Sequence, residues 1–86
     1  MNEQIPKSRL QTARPARYQI LVQGALDERW SRRLGGLAIS TLATATGSPI
    51  TCLSGEVLDQ AALFGVLNTL YALHLPLISV SYLDGE

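Results

Sequence analysis

The fold is decided by the stretch DQAALFGVLNTLYALHLPLISVSY at residues 59–82, which joins a helical pattern to a strand pattern. Apolar residues recur at Leu63, Val66 and Leu70, the spacing of one face of an α-helix. Asp59 precedes them and suits the N-cap, because its carboxylate accepts from free backbone N–H groups of the first turn. The pattern therefore predicts an amphipathic helix of about sixteen residues.

This helix is expected to end before Pro76, because proline disfavours helical geometry at the residue that precedes it. Beyond Pro76, apolar and small polar residues alternate, which indicates a strand. Three earlier stretches show the same alternation or a β-branched composition. The four predicted strands are residues 17–23, 37–42, 50–55 and 77–83.

A shorter helix is predicted between the first two strands. Asp27 is its N-cap, and Leu26, Trp30 and Leu34 form one inward stripe at i, i+4 and i+8. Gly35 ends it, since glycine readily adopts the left-handed conformation at a helix C-terminus. A second, small helix therefore follows the first strand.

The element order is β-α-β-β-α-β, which predicts an α+β fold of the ferredoxin-like class. In that fold a four-stranded antiparallel sheet carries both helices on one face. We expect residues 16–86 to form this domain. Residues 1–15 contain two prolines, scattered charge and no sustained period, which indicates a flexible N-terminal tail.

The alternation also predicts which side chains lie on the uncovered face of the sheet. Leu21, Ile50, Cys52 and Leu77 are its apolar members, and such a face favours contact with a second copy. The third strand has the least certain register, because a one-residue slip exchanges Cys52 with its neighbour. The residues predicted to face the helices are Ile20, Val22, Leu37, Ile39, Leu53, Ile78 and Val80.

Composition removes several function classes. The chain has 86 residues, of which 47% are apolar and 16% charged, with one cysteine and one histidine. No internal disulfide is possible, and no zinc-ligand spacing is present, so we predict no metal or cofactor. There is no run of 18 apolar residues and no apolar signal region near Met1, which predicts a cytoplasmic protein without a membrane contact.

The formal net charge is zero but unevenly distributed. Up to Arg17, four basic residues accompany one acidic residue; from Tyr18 on, three basic residues accompany six acidic ones. A domain with that balance is a poor nucleic-acid binder. Attachment of nucleic acid through the basic tail remains a third, weaker hypothesis.

The best candidate for binding an anionic ligand is the short helix. Arg29 and Arg33 flank Trp30, whose ring can stack on a ligand, although a solvated basic face and a core tryptophan are the ordinary roles. His74 is a candidate general base, because histidine is the residue type most often used for proton transfer near neutral pH, but a histidine at a helix C-terminus is also favourable electrostatically. Cys52 lies among apolar strand residues without a basic partner, which favours a packed thiol.

Two sets of residues carry a resemblance to a known family. They are D-E-R-W-S with L-G-G-L at residues 27–37, and D-Q-A-A-L with L-P-L-I-S-V at residues 59–80. Over residues 18–82 the chain resembles a family of small uncharacterised bacterial proteins, and its predicted fold is similar to ACT-like and other ferredoxin-like domains. Many of these pair through sheet edges or faces, so the resemblance implies a dimer but no catalytic site.

These observations favour a non-catalytic homodimeric interaction module or a small-ligand-binding, regulatory module. The dimer is expected to use the open sheet face or a sheet edge. The alternative hypothesis is a small isomerase-like enzyme that uses His74 with an arginine of the Arg29–Arg33 group. A base of that kind needs a positioned substrate as well as a suitable pKa.

Overall fold

The computed structural model describes residues 15–83, and these contain four strands and two helices. The predicted α+β class is therefore confirmed. Residues 1–14 of the predicted tail and residues 84–86 lie outside the described residues. The strands are β1 (Ala16–Gln23), β2 (Ala38–Leu42), β3 (Ile50–Val57) and β4 (Leu77–Tyr82), and the helices are a 3₁₀ helix (Glu28–Leu34) and α1 (Gln60–Ala72).

All four strands belong to one antiparallel open sheet with the order β2-β3-β1-β4. β1 and β3 are central, whereas β2 and β4 are the edges. β2 and β3 are joined as a hairpin through residues 43–49, as predicted. Each helix connects two strands that have one strand between them, so each connection passes over a neighbouring strand before it rejoins the sheet.

The register of β3 agrees with the prediction. Ile20 lies opposite Leu53, and Leu21 lies opposite Cys52. Since directly opposite residues share one side of a sheet, Leu53 points with Ile20 into the core and Cys52 points the other way. The helices add their buried residues to the same core, so both pack on that side. The buried core consists of Ile20, Val22, Leu34, Leu37, Leu53, Val57, Leu63, Val66 and Leu70.

The helix α1 is capped by Asp59 as predicted, but it is shorter than predicted, with 13 residues. The backbone N–H of His74 donates to the Tyr71 carbonyl (2.9 Å), and that of Leu75 donates to the Leu70 carbonyl (3.2 Å). These two bonds form a Schellman motif, which closes the helix before Pro76 does so. His74 occupies its left-handed position, with φ of +62°. Neither described helix is long and apolar enough to cross a membrane.

The first helix differs from the prediction in its winding, because it is a 3₁₀ helix rather than an α-helix. Its predicted ends are confirmed: the Asp27 side chain accepts from the Arg29 backbone N–H, and Gly35 has φ of +71°. The Trp30 N–H donates to the Asp27 carbonyl, three residues back, which is the 3₁₀ pattern. Only seven residues separate the two caps, and short helical segments readily take this tighter winding.

The edge strand β4 departs from the predicted alternation. Leu21 lies opposite Ser79, but Val22 lies opposite Leu77, so a β-bulge accommodates Ile78 as an extra residue. Leu77 is therefore on the helix side of the sheet and not on the open face. Ile78 and Val80 were predicted to be covered by the helices, yet both are exposed. The buried residues of α1 pack over the central strands and leave β4 uncovered.

Candidate functional site

An open depression of about 320 Å³ lies beside the 3₁₀ helix and is lined by Asp27, Arg29, Trp30 and Arg33. Residues three apart eclipse one another in a 3₁₀ helix. Trp30 and Arg33 have this spacing, so the tight winding aligns the indole with the guanidinium, and the N-cap Asp27 lines the same depression. The three residues predicted to bind a ligand, Arg29, Trp30 and Arg33, all line this depression. Asp27 was predicted only as the N-cap of the helix, and the i, i+4 stripe did not indicate that its side chain lines the depression.

Asp27 and Arg29 form a closed pair at one end of the depression. The Arg29 backbone N–H donates to Asp27 Oδ1 (2.8 Å), and its guanidinium donates through Nε and Nη2 to Oδ2 (3.2 and 3.1 Å). The backbone hydrogen bond, followed by the guanidinium, lowers the pKa of Asp27 below its ordinary value. Asp27 therefore remains a carboxylate near neutral pH, with its lone pairs largely engaged.

Arg33 provides the available positive charge. Its guanidinium carbon lies 5.2 Å from the centroid of the Trp30 ring, which is a cation–π arrangement. The one ion pair among the described residues joins Arg29 to Asp27, so within that part of the chain Arg33 has no carboxylate within 4 Å. Trp30 is half-buried and packs against the core, which fixes the platform under the guanidinium. The donors of Arg33 that point away from the ring are free to bind an anion.

The loop that leads into this helix is anchored to β3 by a residue that the sequence did not single out. Thr51 is fully buried, and its hydroxyl donates to the Gly24 carbonyl at 2.6 Å. The Gly24 N–H in turn donates to the Pro49 carbonyl at 2.9 Å. The N–H and the C=O of Gly24 are thereby both held at the start of β3, and Asp27 follows only three residues later.

The residues predicted as a dimer face are only partly brought together. Leu21, Ile50 and Cys52 do share the open face of the sheet. Cys52 is nevertheless buried, with its sulfur accepting from Gln19 Nε2 at 3.5 Å, and the other two are half-buried. Leu77 is separated from them, because the β-bulge places it on the helix side. The open face thus presents less apolar surface than predicted.

Exposed apolar surface is instead concentrated along β4 and the residue after it. Of the nine large exposed apolar residues in the described part of the chain, five lie between residues 77 and 83. An apolar cavity of about 190 Å³ adjoins the start of the strand. It is lined by Leu67, Leu70, Tyr71, Leu75, Pro76 and Leu77. The five exposed residues are Leu77 (53%), Ile78 (48%), Val80 (38%), Tyr82 (64%) and Leu83 (46%).

His74 lies at the C-terminal end of α1 and is exposed. Within residues 15–83, it lines neither the arginine-containing depression nor the apolar cavity. A joint site of His74 with an arginine therefore stays a prediction without geometric support. A group of three or more potential metal-ligating residues is likewise not found among the described residues.

Comparison with known families gives one match. Residues 17–81 match the model of a family described as a domain of unknown function, which covers both helices and nearly all of the sheet. No curated protein matches the chain significantly, and no solved structure does so.

Proposed function

The chain belongs to the DUF8691 family, a domain of unknown function, and we propose that it is a non-catalytic, homodimeric module that binds a small anionic ligand. The observation that carries this proposal is the alignment of Trp30 and Arg33 in the depression beside the 3₁₀ helix. A guanidinium held over an aromatic ring keeps its outward donors in a fixed plane, which suits a carboxylate or phosphate.

The charge of the depression limits the ligand to a small anion. Arg29 is engaged by Asp27, so their charges offset each other and Arg33 contributes the net positive charge. The depression is open to solvent, where one charged contact contributes only modestly. We therefore expect weak binding of a compact carboxylate or phosphate group and a strong dependence on ionic strength.

The same geometry favours a binding role over catalysis. The acidic group that lines the depression is Asp27, whose lowered pKa leaves it deprotonated over the physiological range. A general acid or base works best with a pKa near the operating pH, whereas the pKa of Asp27 is shifted away from that pH. The hydrogen bonds from Arg29 also occupy both of its oxygens.

We further propose that the fold is ferredoxin-like and close to the ACT-like domains. The support is the strand order β2-β3-β1-β4, in which each helical connection passes over one strand, as in the split β-α-β arrangement. The 3₁₀ winding of the first helix is this chain's own variation on that arrangement. A regulatory domain of this class combines a ligand site with a second copy, which agrees with the proposed function.

Binding is tested with Trp30, because it is the one tryptophan in the chain and its fluorescence reports directly on the site. The full chain is titrated with sodium phosphate and with sodium citrate at constant ionic strength, with sodium chloride as the reference. We expect a saturable fluorescence change with one of the two anions. Replacement Arg33→Gln should weaken the apparent affinity about tenfold, because it removes a charge-assisted hydrogen bond.

The matched control is Arg17→Gln, which removes an exposed arginine from β1. It should leave the titration unchanged, whereas Arg33→Lys should give an intermediate affinity since it keeps the charge but loses the planar fork. Equal weakening by Arg17→Gln and Arg33→Gln would show non-specific screening and overturn the proposed site. A wild-type signal that follows ionic strength alone would do the same.

A further inference from the structure

The outer edge of β4 presents its backbone groups in a known direction. The Leu83 N–H donates to the Arg17 carbonyl at 2.8 Å, so the backbone of Leu83 points inward to β1. Backbone direction alternates along an antiparallel strand. The N–H and C=O groups of Val80 and Tyr82 therefore point outward, and so does the C=O of Ile78, whose N–H lies within the β-bulge. Within the described residues, no strand pairs with this edge.

The sequence of this edge is self-complementary. Residues 77–83 read L-I-S-V-S-Y-L, which has the same order of apolar and polar residues in both directions about Val80. The stretch has no charged residue and no proline, the two devices that commonly protect an edge strand from pairing. All four apolar side chains of the strand, Leu77, Ile78, Val80 and Tyr82, are exposed.

From this symmetry we infer that two copies of the chain pair through β4, antiparallel, with Val80 on the two-fold axis. This inference rests on the homodimer in the proposed function and names its surface and register. Val80 then lies opposite Val80 of the second copy, Ile78 opposite Tyr82, and Ser79 opposite Ser81. The outward backbone groups form about four hydrogen bonds, two at the Val80 pair and one at each flanking pair of Tyr82 N–H with Ile78 C=O. The two sheets become one continuous sheet.

A second copy fits this edge better than an unrelated strand. Only in this register does each apolar side chain face an apolar side chain and each serine face a serine. Tyr82 is already held by Tyr18, whose ring centroid lies 5.6 Å away. The five exposed apolar side chains present on the order of 450 Å² per copy, taking about 180 Å² for each when fully exposed. With the backbone edges, complete burial in both copies covers at most about 1,000 Å², the lower limit for a specific interface, so a weak dimer is expected.

The dimer is tested by sedimentation velocity on the full chain from about 10 to about 500 μM, since an interface of this size gives a concentration-dependent equilibrium. We expect wild type to shift from monomer to dimer across that range. Val80→Lys places two like charges on the axis and should raise the dissociation constant at least about tenfold. The matched control is Phe64→Lys, an equally apolar-to-charged change on the exposed face of α1, and it should leave the equilibrium unchanged.

The register is tested separately by cysteine cross-linking, which does not depend on the folding of a charged variant. In Val80→Cys the two thiols lie on opposed residues about 5.5 Å apart between Cα atoms, a separation that a disulfide spans. In Tyr82→Cys the two cysteines are four residues out of register, with Cα atoms about 14 Å apart, beyond the span of a disulfide. Mild oxidation should therefore link Val80→Cys rapidly and Tyr82→Cys slowly, with wild type, whose Cys52 is buried, as the baseline.

The outcomes separate this inference from the proposed function. A wild-type dimer that Val80→Lys leaves intact overturns the β4 interface but not homodimerisation, and a wild-type monomer at about 500 μM overturns both. Faster cross-linking of Tyr82→Cys than of Val80→Cys overturns the register. The anion titration with Trp30 is read on monomeric Val80→Lys as well, so a failure of ligand binding is seen independently of assembly.

Discussion

Replacement Thr51→Val tests how the loop before the candidate site is held. Valine has nearly the shape of threonine, so the change removes one hydroxyl donor from a fully buried position and little else. The hydrogen bond to the Gly24 carbonyl, 2.6 Å long, is lost. A net hydrogen bond contributes about 1 kcal/mol, and a buried carbonyl left without its donor costs about 1–3 kcal/mol.

The expected loss of stability lies at the lower end of that range. Gly24 is half-buried, so water partly replaces the missing donor, and the new methyl group is itself buried. We expect the free energy of unfolding to fall by about 1–2 kcal/mol. With a urea m-value of about 1 kcal/mol/M for a domain of this size, the midpoint falls by about 1–2 M. The measurement is urea unfolding followed by far-ultraviolet circular dichroism.

The control for this experiment is Thr41→Val on β2. Thr41 lies directly opposite Thr51 in the sheet but is exposed, so the same chemical change should alter stability by less than about 0.5 kcal/mol. Thr51→Val should also weaken the anion titration, because the segment from Gly24 to Asp27 loses an anchor. If the two valine variants unfold at the same urea concentration, the hydroxyl of Thr51 does not hold the loop and the reasoning is refuted.

Three further changes test other backbone and charge features. Gly24→Ala should destabilise by about 2 kcal/mol in urea unfolding, because φ is +114° and the new Cβ would meet Leu75 Cδ2 at 2.8 Å. His74→Gly should raise the thermal midpoint, since glycine takes the left-handed C-cap conformation without the cost of about 1 kcal/mol that other residues bear; a lower midpoint would contradict this explanation. The pKa of Asp27 is lowered in the folded state, mainly by the hydrogen bond from the Arg29 backbone N–H. The stability that the Asp27 carboxylate contributes is therefore complete above pH 3.8, the ordinary pKa of aspartate, and is lost as the pH falls through the lowered folded-state pKa. The difference in thermal midpoint between wild type and Asp27→Asn should therefore be full at pH 6 and shrink as the pH falls below 3.8, and a constant difference would contradict this assignment.

Local patterns predicted the elements because each depends on residues close in sequence. Alternation placed the four strands, and the caps Asp59, Asp27 and Gly35 were placed correctly since capping is a property of a few neighbouring residues. The inward direction of Leu53 also followed from period two alone. These features are the ones that a single sequence carries most directly.

The features that decide the candidate site are not local in that sense. The i, i+4 stripe through Trp30 predicted an α-helix, whereas the 3₁₀ winding eclipses residues three apart and holds Arg33 beside the Trp30 ring. The β-bulge that moves Leu77 to the helix side is formed at Leu77 and Ile78, two ordinary strand residues, and the adjacent Pro76 indicated only the end of the preceding helix. The exposure of Val80 depends on how far α1 reaches across the sheet, which is set by packing and not by the strand's own pattern.

The strand order also has a consequence for how the chain folds during synthesis. β1, the first strand to be made, sits between β3 and β4, so its ladders are completed only when the last of the four strands is available. The hairpin of β2 and β3 is the one pairing that forms between sequence neighbours. A nascent chain that has emerged up to about residue 60 therefore carries a three-stranded sheet in which β1 is an edge with one unpaired side, a form in which nascent chains readily associate. A chaperone that shields β1 until translation reaches β4 should raise the yield of folded protein.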